Sequence, residues 1–283
     1  MHIPDGFLTP PVWLAFDAIS APAIGWIARR TPKSAAPDTA RIPLIAVMGA
    51  FIFAAQMINF PVGLGASGHL LGGALLATLL GPTSAILVMT SVIVLQALLF
   101  QDGGVLALGA NVFNMAIVGV LAGYLPIRLW GRTMISLFLG GTISVLASAA
   151  LVLWQLSLSG VALAGQPLAI AIALFAITAV LEGIITVAAI RAIERTSPQT
   201  LPEYPHVAFP ARAAFATVAL LLVTGGTWIA SAAPDGLQHL AADIGLEAAP
   251  IWTSPLTTWS RPAAGLAGLV FVYAICSLGE KRR

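Results

Sequence analysis

The chain has 283 residues, of which 59% are hydrophobic and 8% are charged. A soluble domain averages about 25% charged residues, so this composition excludes a soluble protein and indicates an all-α integral membrane protein. The net charge of +2 comes from basic residues at the predicted membrane edges, which leaves no basic patch for nucleic acid.

Nine segments approach the length of about 17–25 mostly apolar residues that a membrane-spanning helix needs. Segment 69–81 is short, and we expect a tilted or half-depth helix there that lines a protein interior and ends at Gly81-Pro82. Lys and Arg mark the cytoplasmic side, and nine spans place every basic residue except Arg261 inside and Met1 outside. In chain order the segments are residues 12–28, 42–60, 69–81, 83–101, 112–127, 133–155, 168–190, 213–232 and 262–278.

A proline-rich polar stretch at residues 196–212 predicts a cytoplasmic linker. It separates a membrane domain, residues 1–195, from a two-span module, residues 213–283, with an outer loop at about 233–261. The first basic residues follow the first apolar run instead of preceding it, which argues against a signal peptide. We therefore expect Met1 to be the mature N-terminus.

The first two residues offer three nitrogen atoms in a row: the α-amine of Met1, the backbone amide of His2 and the imidazole Nδ1 of His2. Chelation through them closes a five-membered and then a six-membered ring. That favours the planar geometry which Ni(II) and Cu(II) adopt with nitrogen donors, and it leaves one corner vacant.

A second histidine, His69, lies in the glycine-rich segment Ser67-Gly68-His69-Leu70-Leu71-Gly72-Gly73 beside a predicted span. One interpretation is a histidine that caps a helix or is hydrogen-bonded at the membrane interface. The predicted topology places it on the same side as His2, however, and polar residues at membrane depth are usually functional. We therefore expect it to supply the fourth nitrogen of a metal site.

Six polar residues are candidates to hold the N-terminal peptide and orient the histidines, because metal ligands need supporting partners. The alternative is that they cap helix ends, and the aspartate at position 5 is first of all a turn residue. The six are Asp5, Ser67, Gln101, Asp102, Asn111 and Asn114.

Three alanines, Ala46, Ala50 and Ala54, recur every four residues on the second predicted span. This spacing permits close helix contact, either within the chain or as a docking face for a partner membrane protein. His239 in the outer loop is either a solvated histidine or a residue that passes metal along.

Five segments resemble the NikM/CbiM substrate-capture subunits of energy-coupling-factor (ECF) importers, and the region after residue 195 resembles the small NikN/CbiN subunit. The resemblance thus indicates a fused NikM/NikN arrangement. The segments are Met1-His2-Ile3-Pro4-Asp5-Gly6-Phe7, Ser67-Gly68-His69-Leu70-Leu71-Gly72-Gly73, Leu108-Gly109-Ala110-Asn111, Phe113-Asn114-Met115-Ala116 and Glu182-Gly183-Ile184-Ile185-Thr186. Ala233-Pro234-Asp235-Gly236-Leu237 carries the second likeness.

This resemblance implies an ECF S-component-like bundle of about seven spans with an extracytoplasmic N-terminus, followed by the two-span module. It implies a planar metal site built from Met1, His2 and His69, with the metal as cargo and no resident cofactor. It also implies two partners in a bacterial inner membrane, a transmembrane coupling (T/Q-type) subunit and an ATP-binding (A/O-type) subunit.

Three alternatives stay open at this point. The cargo is expected to be Ni(II), with Co(II) for corrinoid synthesis as the alternative. An intramembrane enzyme that uses Glu182, Asp102 and a histidine is a rival from another class, and a membrane scaffold with an incidental N-terminal histidine is a second. No HExxH zinc motif and no Walker A loop occurs in the sequence, so ATP hydrolysis is expected on a separate chain.

Overall fold

The computed structural model describes residues 1–30, 41–196 and 209–281. Residues 197–208, which form most of the predicted linker, lie outside the described residues. The described residues are mostly helical and include one short hairpin. Its elements are α1 (Pro10–Arg30), α2 (Arg41–Gln56), β1 (Phe60–Gly63), β2 (Ala66–Gly68), α3 (Gly73–Leu80), α4 (Pro82–Leu95), α5 (Leu108–Asn111), α6 (Val120–Trp130), α7 (Met134–Leu158), α8 (Gly165–Thr196), α9 (Phe209–Ile229), α10 (Gly236–Asp243) and α11 (Arg261–Lys281).

Two π-helical segments continue this helical path, Gln96–Phe100 after α4 and Val112–Gly119 between α5 and α6. Among the described residues, five helices are long and apolar enough to cross a membrane. They are Pro10–Arg30, Pro82–Phe100, Leu108–Trp130, Met134–Leu158 and Gly165–Arg195. Three shorter apolar helices are Pro43–Gln56, Arg212–Gly226 and Pro262–Ser277. The all-α membrane fold is confirmed, whereas nine crossings and an outside N-terminus stay predictions.

The short segment predicted at 69–81 forms the eight-residue helix α3, and every one of its residues is buried. Eight residues rise only about 12 Å, less than half of the hydrocarbon core. Gly81 ends the helix with a φ of 76°, and Pro82 starts α4 at once. The expected short, buried helix and its turn are therefore present, whereas its depth in the membrane stays a prediction.

A β-hairpin leads the chain into His69. Strands β1 and β2 pair antiparallel and are joined by Leu64 and Gly65, whose φ angles are 54° and 73°. Positive φ at both loop positions is the signature of a type I′ turn, which glycine adopts readily. The glycine at position 65 is thus explained by backbone geometry on the approach to the histidine.

The C-terminal module packs directly on the first domain, with α2 against both α9 and α11 and with α10 against α8. Contact is close: a Cβ on Gly49 would lie 2.9 Å from the Cys276 sulfur. The three alanines Ala46, Ala50 and Ala54 are at most 4% exposed. They therefore pack within the chain, and the interpretation that they form a docking face for a partner protein is wrong for this structure.

Candidate metal site

The N-terminal peptide lies in a cradle formed by residues 104–111. Asn111 holds both sides of Ile3: its Oδ1 accepts a hydrogen bond from the Ile3 amide at 2.8 Å, and its Nδ2 donates to the Ile3 carbonyl at 3.0 Å. The Gly104 amide donates to the same carbonyl at 2.8 Å. Because three hydrogen bonds fix the backbone of Ile3, they also restrict where Met1 and His2 can lie.

Asp5 fixes the same peptide from the other direction. Its carboxylate accepts hydrogen bonds from the amides of Val105 and Leu106 at 3.1 and 2.8 Å. Gly104 has no room for a side chain, because a Cβ there would collide with the Asp5 carboxylate. The aspartate expected to support the site thus acts on the cradle, one step away from the histidines.

Helix α1 is held to the cradle by two side chains. The Asp17 carboxylate accepts from the Gly109 amide at 2.7 Å, and the Ser20 hydroxyl donates to the Gly109 carbonyl at 2.7 Å. A side chain at Gly109 would collide with Asp17. The Leu108-Gly109-Ala110-Asn111 segment therefore docks both the first helix and the peptide that precedes it.

The amino group of Met1 is buried and contacts two side chains from distant parts of the chain. It lies 2.9 Å from Nε2 of His69 and 2.5 Å from Oδ2 of Asp235. The His69 nitrogen and the Asp235 oxygen are 3.9 Å apart. The structure thus brings Met1 and His69 together as predicted, and it adds a carboxylate that sequence reasoning missed.

His69 presents its Nε2 lone pair to this cluster. Its Nδ1 lies 3.1 Å from the Leu70 carbonyl oxygen, which can only accept, so the ring proton is assigned to Nδ1. Burial, with the nearby positive charges, lowers the pKa of His69 to about 4. The imidazole is therefore neutral at pH 7, the form in which histidine binds a metal ion.

The imidazole of His2 lies beside that of His69. The ring centroids are 5.5 Å apart and the ring planes differ by 13°. Nδ1 of His2 lies 3.2 Å from Oδ1 of Asp102, yet both ring nitrogens are buried without a well-aligned hydrogen bond in the described structure. Buried polar atoms without partners call for an explanation, and a bound ligand is one.

Asp235 is aimed at Met1 by a helix cap. Its Oδ1 accepts from the amides of Leu237 and Gln238 at 2.9 and 2.8 Å, and the Asp235 amide donates to Oε1 of Gln238 at 3.1 Å. This leaves Oδ2 free for the amine. Burial alone would raise the pKa of Asp235, but the Met1 ammonium overcomes this effect, and the pKa lies below its ordinary value.

Ser67 ties the module to the His69 segment. Its amide donates to the Pro234 carbonyl at 2.8 Å, and its hydroxyl donates to the Ala233 carbonyl at 2.7 Å. The sequence pattern from Asp235 to Gln238 is recognisable as a capping box. That pattern predicts the start of α10, but it carries no information that the second carboxylate oxygen faces the N-terminus.

We expect Asp235→Ala to lower the free energy of unfolding of the metal-free protein by about 3 kcal/mol, because a buried ammonium loses its counter-ion. The measurement is chemical unfolding in detergent. The matched control is Asp243→Ala, which breaks a 3.2 Å contact with His239 in which the Asp243 side chain is 36% exposed. We expect it to change stability by less than about 1 kcal/mol. Equal losses in both variants would contradict a special role for the Met1–Asp235 pair.

Two of the six residues predicted to support the site, Gln101 and Asn114, lie away from the histidines. The Gln101 side chain donates to the Trp252 carbonyl at 2.6 Å, and the Trp252 indole donates to the Leu98 carbonyl at 2.9 Å. Both ends of the Asn114 amide are engaged with Gln155, at 2.7 and 2.8 Å. Gln101 therefore binds the loop between α10 and α11, and Asn114 joins two helical segments. His239 pairs with Asp243 on α10.

Side chains alone do not make a metal site in the part of the chain that the structure describes. No group of three His, Cys, Asp or Glu side chains has a suitable arrangement there. A site at this position would need a donor other than side chains, and the Met1 amine, 2.9 Å from Nε2 of His69, lies there.

The chain is similar to known proteins of metal transport. Residues 2–200 match the family CbiM, described as the cobalt uptake substrate-specific transmembrane region. A candidate fused nickel transport protein NikMN of Archaeoglobus fulgidus is 32% identical over 294 residues, which cover 97% of this chain and 96% of that protein. A candidate cobalt transport protein CbiM of Methanosphaerula palustris is 33% identical over 214 residues, 71% of this chain and 92% of that one.

A solved structure shares the fold as well. The crystal structure of a truncated transition metal transporter aligns with a TM-score of 0.60 and 32% sequence identity. The alignment covers 69% of this chain and 99% of that one. The likeness thus extends over most of the first domain by both sequence and structure.

Proposed function

The chain belongs to the CbiM family of cobalt uptake substrate-specific transmembrane proteins, and from this we propose that it captures Ni(II) as the substrate-specific component of an ATP-driven ECF importer. The protein is a multi-pass membrane component of metal transport, and it is a transporter component and not an enzyme.

One observation carries the proposed site: the Met1 amine lies 2.9 Å from Nε2 of His69. Two nitrogen ligands about 2 Å from one ion, at a right angle, would be about 2.8 Å apart. The pair therefore has the spacing of neighbouring corners of a square plane. The amide and Nδ1 of His2 would complete the plane by chelation, which suits Ni(II) and Cu(II).

Nickel is favoured by the full-length likeness to a fused protein whose name refers to nickel. Cobalt is the second candidate, because the family description and a relative that covers 71% of the chain both name it. The four nitrogens themselves do not discriminate strongly between the two ions. The choice therefore needs direct binding measurements.

The proposed assembly has two further parts. We propose a transmembrane coupling subunit and an ATP-binding subunit as partners in a bacterial inner membrane, with the N-terminus of this chain outside. The sequence contains no Walker A motif to supply ATP hydrolysis itself. Family membership supports both partners.

The test uses purified protein whose first residue is Met1. This protein is titrated with Ni(II) and, in a separate experiment, with Co(II). We expect one ion per chain and tighter binding of Ni(II). Tighter Co(II) binding would favour the cobalt alternative. If the protein bound neither Ni(II) nor Co(II), the result would contradict metal capture at this site.

Nickel affinity should fall on acidification, because binding displaces protons from the Met1 amine and the His2 amide. Each displaced proton weakens the apparent affinity about tenfold per pH unit. His69 adds nothing to this slope above about pH 5, since its pKa is lowered to about 4 and the ring is already neutral. Titrations between about pH 8 and pH 6 measure the slope, and a flat profile would contradict amide ligation.

A further inference from the structure

Glu182 is a buried acid that the proposed site does not use directly. It is 1% exposed and lies in the middle of α8, where α7 passes so closely that a Cβ on Gly141 would lie 2.8 Å from the Glu182 carbonyl oxygen. A carboxylate at such a position is destabilising unless it is well hydrogen-bonded. Its partners therefore indicate why it is there.

Those partners are two consecutive backbone amides that follow His69. Oε2 of Glu182 accepts from the Leu71 amide at 2.8 Å, and Oε1 accepts from the Gly72 amide at 2.7 Å. Hydrogen bonds to an ionised acceptor are stronger than neutral ones. Both oxygens are thus committed to the segment that carries the histidine.

A second helix holds the same peptide from the opposite side. Gln56 of α2 donates from Nε2 to the Leu71 carbonyl at 2.7 Å. Gly72 then turns the chain with a φ of 80°, and a side chain there would collide with Ile52. The backbone after His69 is therefore fixed by contacts from α2 and α8 together.

On its other side, His69 follows Ser67, which is bonded to the C-terminal module as described above. The histidine thus lies between two anchored points, each only two residues away. Its own Nδ1 is engaged with the Leu70 carbonyl. The position of Nε2 relative to the Met1 amine is therefore set by this backbone segment.

We propose that Glu182 is a positioning residue of the metal site, which holds the Leu71–Gly72 backbone so that Nε2 of His69 faces the Met1 amine. Gln56 supports the same geometry from α2. This inference rests on the proposed function, because it assigns to Glu182 a part in metal capture through His69 and no contact with the metal.

The central variant is Glu182→Gln, which keeps the size of the side chain but turns one acceptor into an NH₂ group facing an amide N–H. Loss of a group that orients a ligand typically weakens metal binding about 10–100-fold. We expect a loss in that range for Ni(II) with the full chain. Gln56→Leu should act in the same direction with a smaller loss, because the bond to this backbone that it removes is neutral. The 3.3 Å bond to the Met89 sulfur is lost as well.

A matched control separates positioning from general destabilisation. Gln155→Leu breaks the buried amide pair with Asn114, in which the two side chains hydrogen-bond each other and not the His69 segment. It should lower the unfolding temperature comparably and leave Ni(II) affinity unchanged. If Gln155→Leu weakened Ni(II) binding as much as Glu182→Gln does, positioning would be the wrong explanation.

A double variant tests whether Glu182 acts through His69. Cu(II) is the probe, because nitrogen sites bind it more tightly than Ni(II) and residual binding stays measurable without His69. In the His69→Ala background, Glu182→Gln should weaken Cu(II) binding less than threefold, since coupled sites are not additive. The visible absorption band of bound Cu(II) should shift in Glu182→Gln alone and stay unchanged when the substitution is added to His69→Ala.

Additive losses in the double variant, or wild-type affinity in a folded Glu182→Gln protein, would overturn the inference while leaving metal capture intact. Failure of the unaltered protein to bind metal would instead overturn the proposed function. Should Glu182→Gln not fold, Gln56→Leu carries the same test alone and in the His69→Ala background. Wild-type affinity of Gln56→Leu would then count against the inference.

Discussion

Adding one glycine in front of Met1 should reduce Ni(II) affinity by more than about 100-fold, beyond the loss expected for a residue that only orients a ligand. The extension converts the terminal amine into a peptide amide and moves the new amine away from His69. It also requires space where Met1 is only 4% exposed and its nitrogen contacts two side chains. Calorimetric titration measures the affinity, and mass spectrometry verifies the first residue.

The matched control carries the same glycine after Arg283, at the other end of the chain. This protein should bind Ni(II) as the unextended chain does. If the N-terminally extended protein bound within threefold of it, the Met1 amine would not be a ligand, and the proposed four-nitrogen site would be wrong.

The second large effect is expected from His69→Ala, which removes the fourth nitrogen. Ni(II) affinity should fall by at least about 100-fold, because a ligand is lost and not only a supporting partner. His239→Ala is the matched control, since it deletes an imidazole that pairs with Asp243 on α10. The same titration measures both variants.

The outcome of this comparison also decides between capture and an incidental histidine. Unchanged Ni(II) binding in His69→Ala would favour the scaffold interpretation of the sequence. Equal losses in both histidine variants would indicate that Ni(II) binds through scattered histidines. A loss confined to His69→Ala is the result that the geometry supports.

Much of this arrangement could be predicted from the sequence, because it depends on local patterns. Apolar runs predict the helices, and the order Met1-His2 by itself places three nitrogens within chelating reach of one ion. A lone histidine beside a membrane segment is unusual, and this indicates a functional role for His69. These signals need no knowledge of which distant residues meet.

The rest depends on contacts between residues far apart in the chain. Asp235 meets the N-terminus across 234 positions, and Glu182 meets Leu71 across 111. The sequence shows that Gln101 and Asn114 lie near helix ends, but amides have several possible partners there. The structure pairs them with Trp252 and Gln155, and so they do not support the histidines.

The end of α3 is predicted by Gly81-Pro82, whereas its start is not. The predicted segment begins at residue 69, but the helix begins at Gly73, after Gly72 turns the chain with a φ of 80°. Burial of all eight residues shows that neighbouring helices surround the segment. Its shortness follows from tertiary packing more than from composition.

The position of α2 bears on why the two parts share one polypeptide. This helix lies against both α9 and α11, and Gly49 approaches Cys276 so closely that the surfaces interlock. The two parts are therefore held together by packed helices as well as by the peptide link. What the fusion guarantees is stoichiometry: every N-terminal amine is synthesised together with the one carboxylate that pairs with it.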